Sequence, residues 1–137
     1  MRLILALIMI VTTSTCVAQS KPTNSEDKFD CSNITISPQL DACVKQQMIK
    51  SNALLQMEMK NFQERVARAY APAPELGKEL IDLVRKSQEA WIQFRKLNCR
   101  VEAFQIEEGT AAHITIVNDC IVRMNKQRID VLKKLPQ

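Results

Sequence analysis

The sequence predicts an all-α fold: a small antiparallel three-helix bundle, built as two helical hairpins, stapled by two disulfides and preceded by a signal peptide. Three observations lead to this prediction. Only two of the 137 residues are glycine and five are proline, which disfavours a sandwich or barrel with many tight turns. Three stretches carry apolar residues at helical spacing. Four cysteines follow an apolar leader of the kind found on exported chains.

The leader has the order of features expected of a signal peptide. Arg2 precedes an unbroken apolar run over residues 3–11, which is too short to span a bilayer and typical of a signal-peptide core. Cleavage after Ala18 would release a soluble protein, and this processing is favoured. In the alternative, cleavage before Cys16 makes it the first residue, and a lipid anchor is attached to it.

The sequence divides into three parts: a signal peptide over residues 1–18, a polar and flexible lead-in over 19–30, and a helical domain over 31–137. The formal net charge is +4, and loss of Arg2 leaves +3. The basic residues are spread along the chain without a stripe of interleaved aromatic residues, so we expect no nucleic-acid partner. No second apolar run follows, so no membrane span is expected in the domain.

The first helix is predicted over residues 38–70. Ser37 stands at a cap-like position and Pro38 in the first turn, where proline is tolerated. Pro72 and Pro74 then end the helix, because each removes a backbone donor and favours extended geometry. Its apolar or small stripe consists of Leu40, Cys43, Val44, Met48, Ser51, Leu55, Met59, Phe62, Val66 and Tyr70.

The second helix begins after these prolines and ends before a break at residues 107–110. Gly109 is suited to a positive φ and Thr110 to a helix cap. The predicted buried stripe of this helix consists of Leu76, Leu80, Leu83, Val84, Ser87, Trp91, Phe94 and Val101.

The third helix is predicted to begin at Ile114. Residues 114–117 are β-branched, which also suits a strand, but the sequence offers no second strand to pair with it. The predicted stripe consists of Val117, Cys120, Ile121, Met124, Val131 and Leu135.

The cysteines are interpreted as structural disulfides, and they are Cys31, Cys43, Cys99 and Cys120. Three pairings are open from the sequence, and Cys31–Cys43 with Cys99–Cys120 is favoured. The first pair would tie the lead-in to helix one, and the second would join helices two and three. Because the chain has one histidine and no two cysteines separated by just two residues, we expect no metal site, no catalytic residue and no cofactor.

Several polar residues share the helical face that carries the core tryptophan. Gln88, Trp91, Arg95 and Cys99 are three or four residues apart, so they lie on one face of helix two. We interpret this face as the edge of a helix interface, with a polar niche around Arg95 as the alternative. Arg128 interrupts the apolar stripe of helix three. Either it pairs with an acidic residue, or its aliphatic part packs on the core while the guanidinium reaches solvent.

The same residues carry a family resemblance. The segments that carry it are Phe29-Asp30-Cys31, Gln39-Leu40-Asp41-Ala42-Cys43, Leu80-Ile81, Lys86-Ser87-Gln88-Glu89-Ala90-Trp91-Ile92-Gln93-Phe94-Arg95 with Cys99, Glu108-Gly109-Thr110, Cys120, Arg128 and Leu132. This pattern resembles the lysozyme inhibitor LprI-like N-terminal domain family, and it covers nearly the whole chain after the lead-in. Helix one departs from the family, which usually has an Asp and an Asn ahead of a Tyr: here Ser51-Asn52 and Leu54-Leu55 stand in that region, and Met59 stands roughly at the Tyr position.

The resemblance implies a small, helical, disulfide-bonded protein exported by a bacterium. It marks Gln88, Trp91, Arg95, Gly109 and Arg128 as family-motif positions with a structural role. Lysozyme inhibition is the activity attached to the family by its name.

Two functions follow as hypotheses, and neither is enzymatic. The first is a periplasmic or secreted module that binds a protein partner of the cell envelope. The alternative is a lysozyme inhibitor that blocks the host enzyme, with Glu107 and Glu108 at the tip of the second hairpin as the acidic contact.

Overall fold

The computed structural model describes residues 31–135 and contains three helices within that range. They are α1, Ser37–Ala69; α2, Pro74–Glu102; and α3, Ala111–Lys134. The part of the chain that is described contains no strand, so the all-α prediction is confirmed. The predicted signal peptide, the lead-in and the alternative lipid anchor at Cys16 lie outside the described residues.

Helix α1 begins one residue earlier than the sequence predicts. Ile36, not Ser37, is the N-cap residue. The side-chain oxygen of Gln39 accepts hydrogen bonds from the backbone N–H groups of Thr35 at 2.9 Å and Ile36 at 3.4 Å. The Gln39 side chain therefore bonds to the backbone N–H groups that precede the helix. A side-chain hydrogen bond from the N-cap residue itself is not needed there.

The α1–α2 turn is short and tightly packed. Pro74 is the first residue of α2, where its missing N–H costs nothing. One turn later, Gly77 lies so close to Tyr70 that an added Cβ would come within 2.8 Å of the Tyr70 Cβ. The two helices of the first hairpin can approach this closely only because residue 77 has no side chain.

The α2–α3 turn has the conformation that its residues predict. Gly109 has a φ of 86°, a left-handed value that favours glycine. The hydroxyl of Thr110 accepts a hydrogen bond from the backbone N–H of His113 at 3.2 Å. Because Thr110 caps the helix, α3 begins at Ala111, three residues before the predicted start. The β-branched residues 114–117 therefore lie inside the helix.

Helices α1 and α3 run parallel to each other and antiparallel to α2, and the α1–α3 interface is the most extensive. At one end, Thr115 Oγ1 donates to Asp41 Oδ1 at 2.5 Å. Toward the other end, Arg65 Nη2 donates to the backbone oxygen of Leu132 at 3.1 Å. The hydrophobic core near the α1–α2 turn consists of Leu55, Phe62, Val66, Val84 and Leu132.

Both favoured disulfides are present. Cys31–Cys43 joins the entering segment to α1, and Cys99–Cys120 joins α2 to α3. Both lie in the half of the bundle that contains the start of α1 and the α2–α3 turn. The structure therefore uses covalent bonds at one end and apolar packing at the other.

The predicted stripe of α2 is partly wrong. Val84 is buried, and Leu80 and Trp91 are partly buried, but five members of the stripe are exposed: Leu76, Leu83, Ser87, Phe94 and Val101. The face turned inward carries Gly77, Val84, Gln88 and Cys99 instead. This face is selected because Cys99 must reach Cys120 and because polar groups of α1 and α3 bond to it.

A smaller correction of the same kind applies at the end of α3. Val131 is exposed and its neighbour Leu132 is fully buried. Positions on one face of a helix recur every three or four residues, so the spacing fits either Val131 or Leu132. In the structure it is Leu132 that packs in the hydrophobic core.

Candidate functional site

A tryptophan between two arginines forms the centre of the candidate site. The Cζ atom of Arg95 lies 5.2 Å from the Trp91 ring centroid, and that of Arg128 lies 5.8 Å from it. Trp91 and Arg95 lie one turn apart on α2, whereas Arg128 comes from α3. Each contact is of the cation–π type, worth roughly 0.5–2 kcal/mol depending on desolvation.

Arg95 is held by neutral oxygens. Its Nη1 donates to Asn52 Oδ1 at 3.1 Å and also to Asn125 Oδ1. Asn125 is fully buried and donates in turn to Ser51 Oγ at 2.8 Å and Asn52 Oδ1 at 3.0 Å. This polar network joins α1, α2 and α3 in the middle of the bundle.

Arg128 is also held by neutral oxygens. Its Nε donates to Gln88 Oε1 at 2.8 Å, and its Nη2 donates to Ser87 Oγ at 3.1 Å. Burial lowers the pKa of Arg95 and of Arg128. Both pKa values start so high that the two guanidiniums stay charged at physiological pH.

Neither arginine has an acidic partner in the described part of the chain. The ion pairs of residues 31–135 involve other basic residues, such as Arg65 with Glu58 and Arg123 with Glu102. The Nε of Arg95 is buried without a hydrogen-bond partner. The site therefore holds two positive charges that only amide and hydroxyl oxygens and an aromatic face compensate.

A groove of about 460 Å³ lies beside Arg95, between α1 and α2, and we call it the Arg95 groove. Its polar lining consists of Asn52, Gln56, Gln88 and Arg95, and its apolar lining consists of Leu55, Met59 and Ile92. No carboxylate lines it. The groove therefore combines a positive group with apolar walls.

A second feature is an exposed apolar surface on the far side of α2. We call it the α2 outer stripe, and it consists of Leu83, Phe94, Leu97, Val101 and Phe104. Phe104 is 85% exposed and Val101 71%. The stripe continues into a shallow groove of about 570 Å³ at the α2–α3 turn, which Ile106, Glu107, Glu108 and His113 also line.

The predicted acidic tip lies at the edge of that groove. Glu107 and Glu108 are both exposed, and Glu108 Oε1 lies 3.7 Å from Arg100 Nη2. An exposed pair of this kind is worth about 0–1 kcal/mol, so Glu108 is available for other contacts.

The structure places the predicted site residues in two groups. The first group lies around the Trp91 ring and consists of Gln88, Trp91, Arg95 and Arg128. The second group lies at the α2–α3 turn and consists of Gly109, Glu107 and Glu108. Within residues 31–135, no group of acidic, histidine or cysteine side chains could hold a metal ion. No helix in that range is long and apolar enough to cross a membrane.

Three residues of the polar network were not predicted: Ser51, Asn52 and Asn125. In the sequence, Ser51 is a small member of the α1 stripe, and Ser51-Asn52 is a departure from the family pattern. Asn125 carried a signal, because it lies four residues after Ile121 and seven before Leu132, on the face of α3 that turns inward. A polar residue at such a position predicts a buried hydrogen bond.

Comparisons with known proteins agree with this architecture. The family described as "Lysozyme inhibitor LprI" matches residues 31–132. A solved structure of a DUF1311 family protein from Pseudomonas putida KT2440 superposes with a TM-score of 0.67 at 22% sequence identity, covering 75% of this chain and 96% of that one. At that identity the likeness shows the fold alone. No curated protein matches the chain. Since the family match spans most of the sequence and reaches from before α1 into the last turn of α3, this chain belongs to the lysozyme inhibitor LprI family.

Proposed function

We propose that this chain is an exported, non-enzymatic binding module of the bacterial cell envelope, which recognises a protein partner through the α2 outer stripe. Its two disulfides fit an oxidising compartment, the periplasm or the exterior. The leader over residues 1–18 supports export by its signal-peptide pattern. Membership of an inhibitor family supports a protein as the partner.

The α2 outer stripe is the observation that carries this proposal. Its five large apolar side chains are exposed along one side of a single helix and its turn. Monomeric proteins rarely expose a contiguous apolar area larger than a few hundred Å² unless it binds something. A standard interface covers about 800 Å² per partner, so the stripe would form its apolar centre with polar residues around it.

Position-specific crosslinking tests the stripe. A photo-crosslinking residue at position 101 is expected to capture a distinct partner in intact cell envelopes. The same residue at position 49 is the control, since Ile49 is an exposed apolar residue of α1 outside the stripe. The adduct should disappear when Leu97→Ser and Phe104→Ser are combined, while the melting temperature stays unchanged.

Two outcomes would contradict the proposal. Identical adducts from positions 49 and 101 would show that the stripe has no special role. An adduct with twice the mass of the chain would show self-association in place of a separate partner.

Lysozyme inhibition is the second candidate, and the exposed Glu107 and Glu108 beside the apolar groove favour it. Animal lysozymes are typically basic, and a chain of charge +3 gains no long-range attraction to them. Local acidic groups must therefore supply the complementarity. Family membership adds support through its description alone.

A peptidoglycan lysis assay tests this candidate. The refolded domain is expected to inhibit lysozyme at micromolar concentration, and combining Glu107→Gln with Glu108→Gln should weaken inhibition by about tenfold or more. The matched control combines Glu75→Gln with Glu79→Gln, which removes the same charge at the opposite turn. Inhibition that is absent, or equally weakened by both pairs, would remove the candidate.

A further inference from the structure

The Arg95 groove holds a guanidinium whose binding edge is unoccupied. Both hydrogen bonds that Arg95 donates to described residues come from Nη1. Its Nε is buried without a partner, and its Nη2 donates to no described residue. In an arginine, Nε and Nη2 point in the same direction and form the edge that binds a carboxylate with two parallel hydrogen bonds.

The surroundings of this edge fix the chemistry of a ligand. Gln88 also lines the groove, and its oxygen is occupied by Arg128, so its amide nitrogen is left to donate. Leu55, Met59 and Ile92 provide apolar walls next to these donors. The set suits a molecule with one anionic end and a short apolar body.

We propose that the Arg95 groove is a binding site for a small organic carboxylate with a short hydrocarbon portion. The carboxylate accepts hydrogen bonds from Nη2 of Arg95 and from the amide of Gln88. The hydrocarbon portion lies against Leu55, Met59 and Ile92. Arg95 then gains the anionic partner that it lacks in the described chain.

This site is separate from the α2 outer stripe. The groove opens between α1 and α2, whereas the stripe faces solvent on another side of α2. A failure of the carboxylate proposal would therefore leave the protein-binding proposal standing, and the reverse also holds.

Intrinsic fluorescence offers a direct test, because Trp91 is the only tryptophan of the chain and stacks on Arg95. Hexanoate is expected to change Trp91 emission saturably and to bind about tenfold more tightly than uncharged hexanamide. Inorganic phosphate is the second probe, since it offers negative charge without an apolar body. Phosphate binding as strongly as hexanoate would overturn the proposal.

Two variants locate the binding. Gln56→Glu places a carboxylate at the rim of the groove and is expected to weaken hexanoate binding about tenfold by occupying Arg95. Gln63→Glu makes the same change on the exposed side of α1 outside the groove and should leave binding unchanged. Since both side chains are exposed, the fold should persist in both variants. Equal affinities in the two variants, or no saturable response to hexanoate, would refute the site.

Discussion

Asn125 is the residue at which all three helices exchange hydrogen bonds. It lies on α3, donates to Ser51 of α1 and accepts from Arg95 of α2. This arrangement needs a side chain that both donates and accepts, and an amide does so without adding a charge. The buried amide thus fixes how α1, α2 and α3 align at mid-height.

Replacing this amide should be costly. We expect Asn125→Ala to lower the free energy of unfolding by about 2–3 kcal/mol, because buried groups on Ser51 and Arg95 lose their partner. Urea denaturation followed by circular dichroism measures the loss. Asn118→Ala is the control, since Asn118 is also buried on α3 but has no described side-chain hydrogen bond. Equal losses in the two variants would show that the network adds nothing beyond packing.

The contacts of Arg95 and Arg128 with the Trp91 ring are the second feature at this scale. A double-mutant cycle between Trp91→Leu and Arg128→Met should give a coupling of about 0.5–2 kcal/mol, because leucine keeps an apolar side chain but has no π face. The comparison cycle uses Arg123→Met, whose arginine pairs with Asp119 and Glu102 and does not lie over the ring. Coupling of the same size in both cycles would contradict a specific contact with Trp91.

Helix α2 has two apolar faces, and this explains why its buried side was predicted incorrectly. One face, with Val84 and Cys99, turns inward, and the other carries Phe94 and Val101 to solvent. Apolar spacing shows that the segment is a helix, but it fits both faces and cannot indicate which of them is buried. Which face is buried depends on Arg95, whose partners come from two other helices.

Local signals were enough to predict where most helices begin and end. Proline at position 74 and the Gly109-Thr110 pair act through backbone conformation and capping, which neighbouring residues determine. The start of α1 differed by one residue because Gln39 reaches back across its own first turn, and the start of α3 differed by three because Thr110 caps the helix ahead of Ile114. The sequence therefore predicted the helices more accurately than it predicted their facing sides.

The first hairpin contains a glycine whose role is steric. Gly77→Ala should destabilise the protein by about 1–3 kcal/mol, since the added methyl group meets the Tyr70 Cβ at 2.8 Å. This direction is opposite to the gain of about 1 kcal/mol that alanine usually brings inside a helix. Thermal unfolding measures the effect. Combination with Tyr70→Ala, which keeps that Cβ but removes the ring beyond it, should recover part of the loss if neighbouring atoms can then shift. A stabilised Gly77→Ala variant would show that the helices approach less closely.

At the scale of the whole molecule, the two ends of the bundle are held by different means. Phe62, Val66 and Leu132 fill the end near the α1–α2 turn, and the two disulfides hold the other end. The polar network lies between them. Cysteine count and export signals predicted two disulfides and left three pairings open, whereas Ser51 and Asn125 become neighbours only after α1 and α3 align in parallel. Contacts between residues so far apart in sequence leave no local pattern.

The two disulfides should be reduced in sequence. Cys99 and Cys120 are fully buried, whereas Cys31 is partly exposed, and thiol exchange requires access to a sulfur. We expect a mild reductant to open Cys31–Cys43 first, giving an intermediate that mass spectrometry identifies after alkylation. Because the hydrophobic core and Cys99–Cys120 remain intact in that intermediate, it should stay helical.

Trp91 fluorescence distinguishes the two steps, since Trp91 packs against the cluster of Cys99, Cys120 and Met124. The first reduction should leave its emission unchanged, and the second should shift it as the protein unfolds. Each closed loop is worth roughly 3 kcal/mol in the chain-entropy model, a large part of the usual stability of a domain of this size. The matched variants are Cys31→Ala with Cys43→Ala and Cys99→Ala with Cys120→Ala, and only the second pair should alter Trp91 emission before unfolding. Simultaneous reduction of both bonds would contradict this order, because it would mean that opening Cys31–Cys43 also exposes Cys99–Cys120.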